Sequence, residues 1–358
     1  MEPGLLEQFR QFFGCEHVVP VGSGTGGLSL ALLGIGVRGR VVLVPALTCP
    51  AVPLAVIAAG GVPRAVDVLR ADATIDPEAV AAAFTSDVAA IIAVDSFGYP
   101  VRIAELRRVA DPHGCPVIED ACQAYGGRVD GLALGALGDV GVVSFGYSKN
   151  VWLNAGGLVL TDDGQLAADV LALQQAPDYR LLSQVRSRVL LKLMLAGHDD
   201  WFPALVRYMG LLRYSFPARQ AQMLPVGWRA FIDELPRTLA NLKRLAAAAV
   251  GFAGVESFEY PAEGWLPWRY SVLMPQEETR ASFAAAMTAA GVPLTRLFPP
   301  LAHPFVDVGP DECPEARRLS EMIINFKYPA RAADTRAMAD SVEAAITARA
   351  GASGAGSS

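Results

Sequence analysis

Residues 88–120 read VAAIIAVDSFGYPVRIAELRRVADPHGCPVIED. VAAIIAVDS (88–96) is a continuous apolar run that ends in polar residues, and CPVIED (115–120) repeats that form with an acidic end. Between them, RIAELRRVADPHG carries apolar residues at helical spacing and closes on Pro and Gly. Apolar strand, amphipathic helix and second apolar strand predict parallel pairing in a sheet covered on both faces. The pattern continues outward over 18–162, with VVLVPA (41–46), VGVVSF (140–145) and GGLVLT (156–161) as strands. GGLSLALLGIG, CPAVPLAVIAAGG and DPEAVAAAF supply the intervening helices. The fold class is therefore α/β, with a mostly parallel sheet covered by helices. In such sheets ligands bind beyond the carboxyl ends of the strands, so the functional residues should follow these runs.

Further along, the alternation breaks. Residues 176–225 contain VRSRVLLKLMLAGHDDWFPALVRYMGLLRYSF, which reads as two apolar-basic helices joined near His198–Asp200. WRAFIDELPRTLANLKRLAAAAVGF predicts a long helix leading into a second region with a strand at WRYSVLMP (268–275), a helix at ETRASFAAAMTAAG and a terminal helix near 333–349. The expected division is a large domain over 1–225, a smaller C-terminal α+β domain over 226–349, and a disordered Gly/Ser/Ala-rich tail over 350–358.

The 358 residues suit two packed domains. Apolar residues make up 52% and charged residues 18%, against about 25% charged in an average domain, which excludes a disordered chain. With 36 acidic and 30 basic residues the net charge is −6, which disfavours a nucleic-acid partner. Cys15, Cys49, Cys115, Cys122 and Cys313 show no CxxC spacing, and the four histidines show no metal-ligand pairing, so no metal site is expected. The opening MEPGLLEQFRQFFG lacks the form of a signal peptide, and no run of about 18 apolar residues reads as a membrane span. A reducing, cytoplasmic setting is expected.

Three motifs carry chemistry. Gly22-Ser23-Gly24-Thr25-Gly26-Gly27 lies between the apolar run HVVPV and a helix, the place for a phosphate cradle built of backbone amides and the Thr25 hydroxyl. It satisfies GxGxxG, but no acid follows until Asp67, so a dinucleotide site is disfavoured. Asp120 ends the buried run CPVIED and calls for a cationic partner, although capping the next helix is the more ordinary role for an Asp so placed. Lys149 follows VGVVSF in Ser144-Phe145-Gly146-Tyr147-Ser148-Lys149-Asn150. Of the four lysines it alone stands at a strand end in a predicted interior, as a Schiff base with a carbonyl cofactor requires; the plain alternative is an exposed turn lysine. Phosphate cradle, buried Asp and inward Lys together satisfy pyridoxal 5′-phosphate.

The ordered runs SGTGGLSLAL, VVLVPALTCPAVPLAVIAAGGVPRAVDV, ATIDPEAV, VIEDACQAYGG, GALGDVGVVSFGYSKN and AGGLVLTDD resemble those of the nucleotide-sugar aminotransferases, the DegT/DnrJ/StrS family. The resemblance covers about 15–165 and resumes around 226–347, where RLFPPLAHPF matches a proline-rich segment. It implies an aspartate-aminotransferase-like large domain of fold type I and a PLP-dependent aminotransferase. The implied substrates are small molecules: an amino donor, glutamate by analogy, and a keto sugar on a nucleotide as acceptor. It further implies that Lys149 forms the aldimine and moves protons, that Asp120 pairs with the ring nitrogen, and that Gln123 approaches the ring. Gly24, Thr25 and Ser144 match phosphate-binding positions. A homodimer with shared active sites is also implied.

Two departures stand out. Cys49 occupies the position where the family usually stacks an aromatic residue on the ring, leaving Phe97 or Tyr147 as substitutes, and Tyr214-Ser215-Phe216-Pro217-Ala218-Arg219 replaces the usual Asn and Arg-Met. The greasy, basic segment 186–213 is expected to be buried in the dimer or against the large domain. The alternative is a surface that docks on an anionic membrane face or on a carrier protein. Other readings of the whole chain are a dehydratase or cyclising enzyme on the same scaffold and a non-catalytic ligand-binding relative.

Overall fold

The structure, a computed structural model, describes residues 1–147, 149–175, 212, 214–258, 266, 268–295, 306, 311–326 and 332–354. The segments 186–211 and RLFPPLAHPF (296–305), on which two expectations fall, lie outside them.

Helix α1 (Pro3–Phe13) leads into β1 (His17–Val21), α2 (Gly24–Ile35), β2 (Val41–Pro45), α3 (Ala51–Ala58) and β3 (Val62–Val66). Then come α4 (Pro77–Ala83), β4 (Val88–Val94), α5 (Ile103–Ala110), β5 (Val117–Asp120), the small hairpin β6 (Arg128–Val129) and β7 (Leu132–Ala133), β8 (Val140–Ser144), β9 (Gly157–Thr161) and α6 (Gly164–Gln175). Seven of these strands form one sheet in the order β1-β9-β8-β5-β4-β2-β3. The central pairings β2–β3, β2–β4, β4–β5 and β5–β8 are parallel, while β9 is antiparallel to both β8 and β1. The mostly parallel sheet expected from the alternation is present. Its inner strands β2, β4, β5, β8 and β9 are buried at every position, because helices cover both faces.

The remainder starts with the long helix α7 (Ala218–Ala249), which begins ten residues before the predicted WRAFIDEL run and contains Pro225 and Pro236. Strands β10 (Glu256–Ser257), β11 (Tyr270–Leu273), β12 (Leu294–Thr295) and β13 (Ile323–Phe326) make a second, antiparallel sheet in the order β10-β11-β13-β12. Helices α8 (Glu277–Ala289), α9 (Pro314–Met322) and α10 (Ala332–Gly354) complete it, and α10 reaches into the segment expected as a tail. A core of Tyr270, Phe283, Phe326 and Met287 holds this sheet and its helices together. The Asp67 carboxylate, just past β3, accepts the Glu315 and Ala316 N–H groups at 3.1 and 2.8 Å, so the large sheet caps α9 from 248 residues away in sequence.

Candidate active site

Strands β3, β4, β5 and β8 deliver Asp67, Asp95, Asp120 and Ser144 at or just past their carboxyl ends. Ser23 caps α2, its hydroxyl accepting the Gly26 N–H at 2.9 Å. The amides of Gly24 and Thr25 lie in the first turn, where a helix offers no internal acceptor. No side chain fits at Gly24: a Cβ there would stand 2.6 Å from Cys122 Sγ and 2.9 Å from Ser144 Cβ. The start of α2 is thereby pressed against the ends of β5 and β8. Ser144 is buried, and its hydroxyl accepts the Gly146 N–H at 3.2 Å, which leaves its own proton free to donate.

Asp120 is 7% exposed at the end of the central strand β5. No helix follows it, so the capping alternative does not hold; Oδ1 accepts the Cys122 N–H at 3.1 Å in a tight Asx-type turn. Lys149 is half-buried in the loop after β8. Its charge and that of Asp120 both act on the buried thiols of Cys49 and Cys122. Burial pushes both thiols above their ordinary range, and they stay protonated and unreactive at neutral pH. Gln123 is buried, with Oε1 accepting the Phe97 N–H at 2.9 Å. That bond holds Phe97 in the left-handed region at φ 57° and leaves the Gln123 amide nitrogen as the donor toward a ligand.

The loop bearing Lys149 is held by a residue that the sequence reading did not single out. Tyr125, fully buried, accepts the Val151 N–H on its phenolic oxygen at 2.7 Å, and its carbonyl accepts from Asn150 Nδ2 at 3.2 Å. The Phe145 ring, packed against Tyr125, Phe9 and Phe216, anchors the start of the same loop. The two candidates for the aromatic missing beside Cys49 have different surroundings. Phe97 is fully buried against Phe258, and Tyr147 is 53% exposed and packs edge-on against Trp152. The ring that meets Lys149 Nζ, at 4.4 Å from its centroid, belongs to Trp268, just before β11. The WRYSVLMP run carried only a strand signal, so nothing local to it pointed to this contact.

Next to Asp120 lies a pair of buried carboxyls, Glu119 and Asp95. The Glu119 side chain accepts N–H groups of Gly135, Leu137 and Gly138 at 2.7, 2.6 and 3.3 Å. Asp95, fully buried, accepts the Val101 N–H on Oδ1, while Oδ2 receives no conventional donor. Burial, with the neighbouring Glu119 carboxyl, raises Asp95 well above the carboxylate range. Burial raises the Glu119 carboxyl too, against its three amide donors, so the pair suits one shared proton, with Oδ2 of Asp95 as a place for it.

A family model described as the DegT/DnrJ/EryC1/StrS aminotransferase family matches residues 4–183, the segment that builds this site. The chain belongs to that family. It is 38% identical over 168 residues to the L-glutamine:2-deoxy-scyllo-inosose aminotransferase of Streptoalloteichus tenebrarius, a match covering 46% of this chain and 39% of that protein. It is 37% identical over 201 residues to the erythromycin biosynthesis sensory transduction protein EryC1 of Saccharopolyspora erythraea, covering 52% of this chain and 55% of that one. The chain thus matches little more than half the length of these curated relatives, or less. Solved structures align along nearly the whole chain. An aminotransferase of this family from Brucella abortus has a TM-score of 0.73 at 24% identity, covering 98% of this chain and 91% of its own, a likeness of fold. DesI, solved in the presence of its TDP-sugar product, has a TM-score of 0.74 at 28% identity over 97% and 86% of the two chains. The architecture is accordingly the aspartate-aminotransferase-like fold type I.

Proposed function

We propose that this family member is a pyridoxal 5′-phosphate-dependent aminotransferase that moves an amino group from an amino acid to a small ring ketone. The observation that carries this reading is the convergence of three groups at one sheet end. They are the open first turn of α2 beside Ser144, the buried Asp120 carboxylate and the Lys149 amine. A phosphate dianion suits the first, a protonated ring nitrogen the second and a carbonyl carbon the third, so the residues fit the cofactor.

Bound there, pyridoxal phosphate supplies an electron-accepting ring beside a reactive carbonyl. The Gly24 and Thr25 amides, with the Thr25 and Ser144 hydroxyls, would hold the phosphate. Asp120 would keep a proton on the ring nitrogen, and the Gln123 amide nitrogen would donate to the ring's polar edge. The Lys149 amine would take a proton from the carbon bearing the transferred nitrogen and return it on the acceptor side, as general base and then general acid.

Glutamate is the donor by family analogy, and glutamine is the donor named for the Streptoalloteichus relative. That relative's cyclitol ketone and the TDP-sugar of DesI both point to a polyhydroxylated ring ketone as acceptor, and we favour a nucleotide-linked keto sugar. Five unpaired thiols suit a reducing, cytoplasmic setting. Among the described residues no helix is long and apolar enough to cross a membrane. A homodimer belongs to the same proposal. The test is the absorption spectrum of the purified chain with added pyridoxal phosphate. A yellow band that borohydride bleaches, with label on Lys149, and its loss on adding glutamate or glutamine support the reading. A chain that keeps no such band, and no label on Lys149, once free cofactor is removed by gel filtration overturns it.

A further inference from the structure

Trp268 stands two residues before β11 of the second sheet, yet its ring reaches the Lys149 amine in the loop after β8 of the first. Lys149 Nζ stands 4.4 Å from the indole centroid, and the guanidinium carbon of the neighbouring Arg269 stands 4.5 Å from the same centroid. Both distances lie within the range where a cation is drawn to the negative face of an aromatic ring. Arg269 is buried and the next residue, Tyr270, begins β11 in the second core, so the chain just after the indole is anchored there. The charges of Lys149 and Asp120 both reach the buried thiols of Cys49 and Cys122, and the indole is the aromatic face that meets the amine itself.

An unrestrained lysine has four rotatable bonds and a large rotamer freedom to lose before it can act at one atom. A ring face that attracts its ammonium removes part of that freedom in advance, and precise placement of a proton-transfer group matters strongly to rate. We propose that Trp268 is a positioning residue for Lys149, holding its amine at the sheet end and tying the second sheet to the reactive nitrogen. The inference rests on the aminotransferase reading for its catalytic consequence, but the contact itself does not.

The test compares wild type with Trp268→Leu and Trp268→Phe, each confirmed as folded by circular dichroism. In the cofactor-free chain at neutral pH, brief acetic anhydride labelling followed by mass spectrometry gives the rate at Lys149 relative to the exposed Lys243. A freed amine should label about three- to ten-fold faster in Trp268→Leu, and by an intermediate factor in Trp268→Phe, whose ring is the weaker partner. With cofactor loaded, Trp268→Leu should lose about ten-fold in kcat with a smaller change in KM. An unchanged Lys149-to-Lys243 ratio in the folded Leu variant overturns the proposal. If that variant does not fold, an unchanged ratio in Trp268→Phe does so. A wild-type chain that never binds pyridoxal phosphate sinks the aminotransferase reading instead, and the labelling ratio still decides the contact.

Discussion

At the residue scale, the proposed chemistry rests on two charges whose removal has separable effects. Lys149→Ala should lower turnover on the order of 10³-fold or more, since it removes the proton-transfer group, while thermal melting stays near wild type. Reductive labelling that lands on another lysine would contradict this. Asp120→Asn should keep the cofactor bound but slow the reaction on the order of 10²–10³-fold, because an amide cannot balance a protonated ring nitrogen; near-normal turnover would reduce Asp120 to a turn residue. Asp95 makes a stability prediction. Its carboxyl is raised in the folded state, so the protonated form supports folding fully below the ordinary value of about 3.9, and that support is lost as pH rises through the folded value. Asp95→Asn keeps a donor toward Glu119 and an acceptor for Val101 without titrating. Urea melts should show the variant gaining on wild type as pH rises from 5 to about 8; a variant weaker by the same amount at every pH would refute the shared proton. The placement of Asp120 and Ser144 at strand ends, of Lys149 in the loop after β8 and of Gly24 and Thr25 at the start of α2 was legible because these are local patterns of the sequence. Trp268 and Tyr125 were not, because each acts on Lys149 or its loop through a contact distant in sequence.

At the element scale, the buried strands announced themselves as unbroken apolar runs, whereas the sheet's margin did not. Strand β3 reads VPRAV and is half-exposed at one edge of the sheet, with Val62 open to solvent and Arg64 reaching out to Thr85. Proline is tolerated at such an edge because its missing N–H would have faced water, and β1 at the other edge carries Pro20. Those residues blur the strand signal while guarding the edge against further pairing. The start of α7 was hidden for a similar reason, since Pro225 splits its first turns from the periodic run that begins at Trp228. The cap that Asp67 gives α9 leaves no trace in local sequence, as its partners are Glu315 and Ala316. Asp67→Ala should cost about 1 kcal/mol and speed amide exchange at Glu315 and Ala316 without changing exchange in β4 or β5. Equal exchange at the two capped amides would show that water replaces the carboxylate at no cost.

On the scale of the whole molecule, the site opens beside an apolar surface that one chain leaves uncovered. Tyr147 and Trp152, 53% and 51% exposed, pack edge-on at 5.0 Å in the loop that carries Lys149. Helix α7 runs along that loop: a Cβ at Gly227 would meet Val151 and Leu153 at 3.3 and 3.6 Å, and Gln220 donates to the Leu153 carbonyl. Met223 and Val226, 43% and 74% exposed, add to the same neighbourhood. Large apolar side chains gathered next to a reactive group are costly in water and suit a permanent partner. A second copy of the chain is the partner expected here, because a closed two-fold contact covers this patch on both copies at once. Sedimentation equilibrium at micromolar concentration should therefore give a dimer. Trp152→Glu paired with Val226→Glu should shift it to monomer, with activity falling in step with dissociation because the loop of Lys149 loses its support. A wild-type chain that sediments as an active monomer would remove the partner from the site, and a double variant that stays dimeric would move the interface elsewhere.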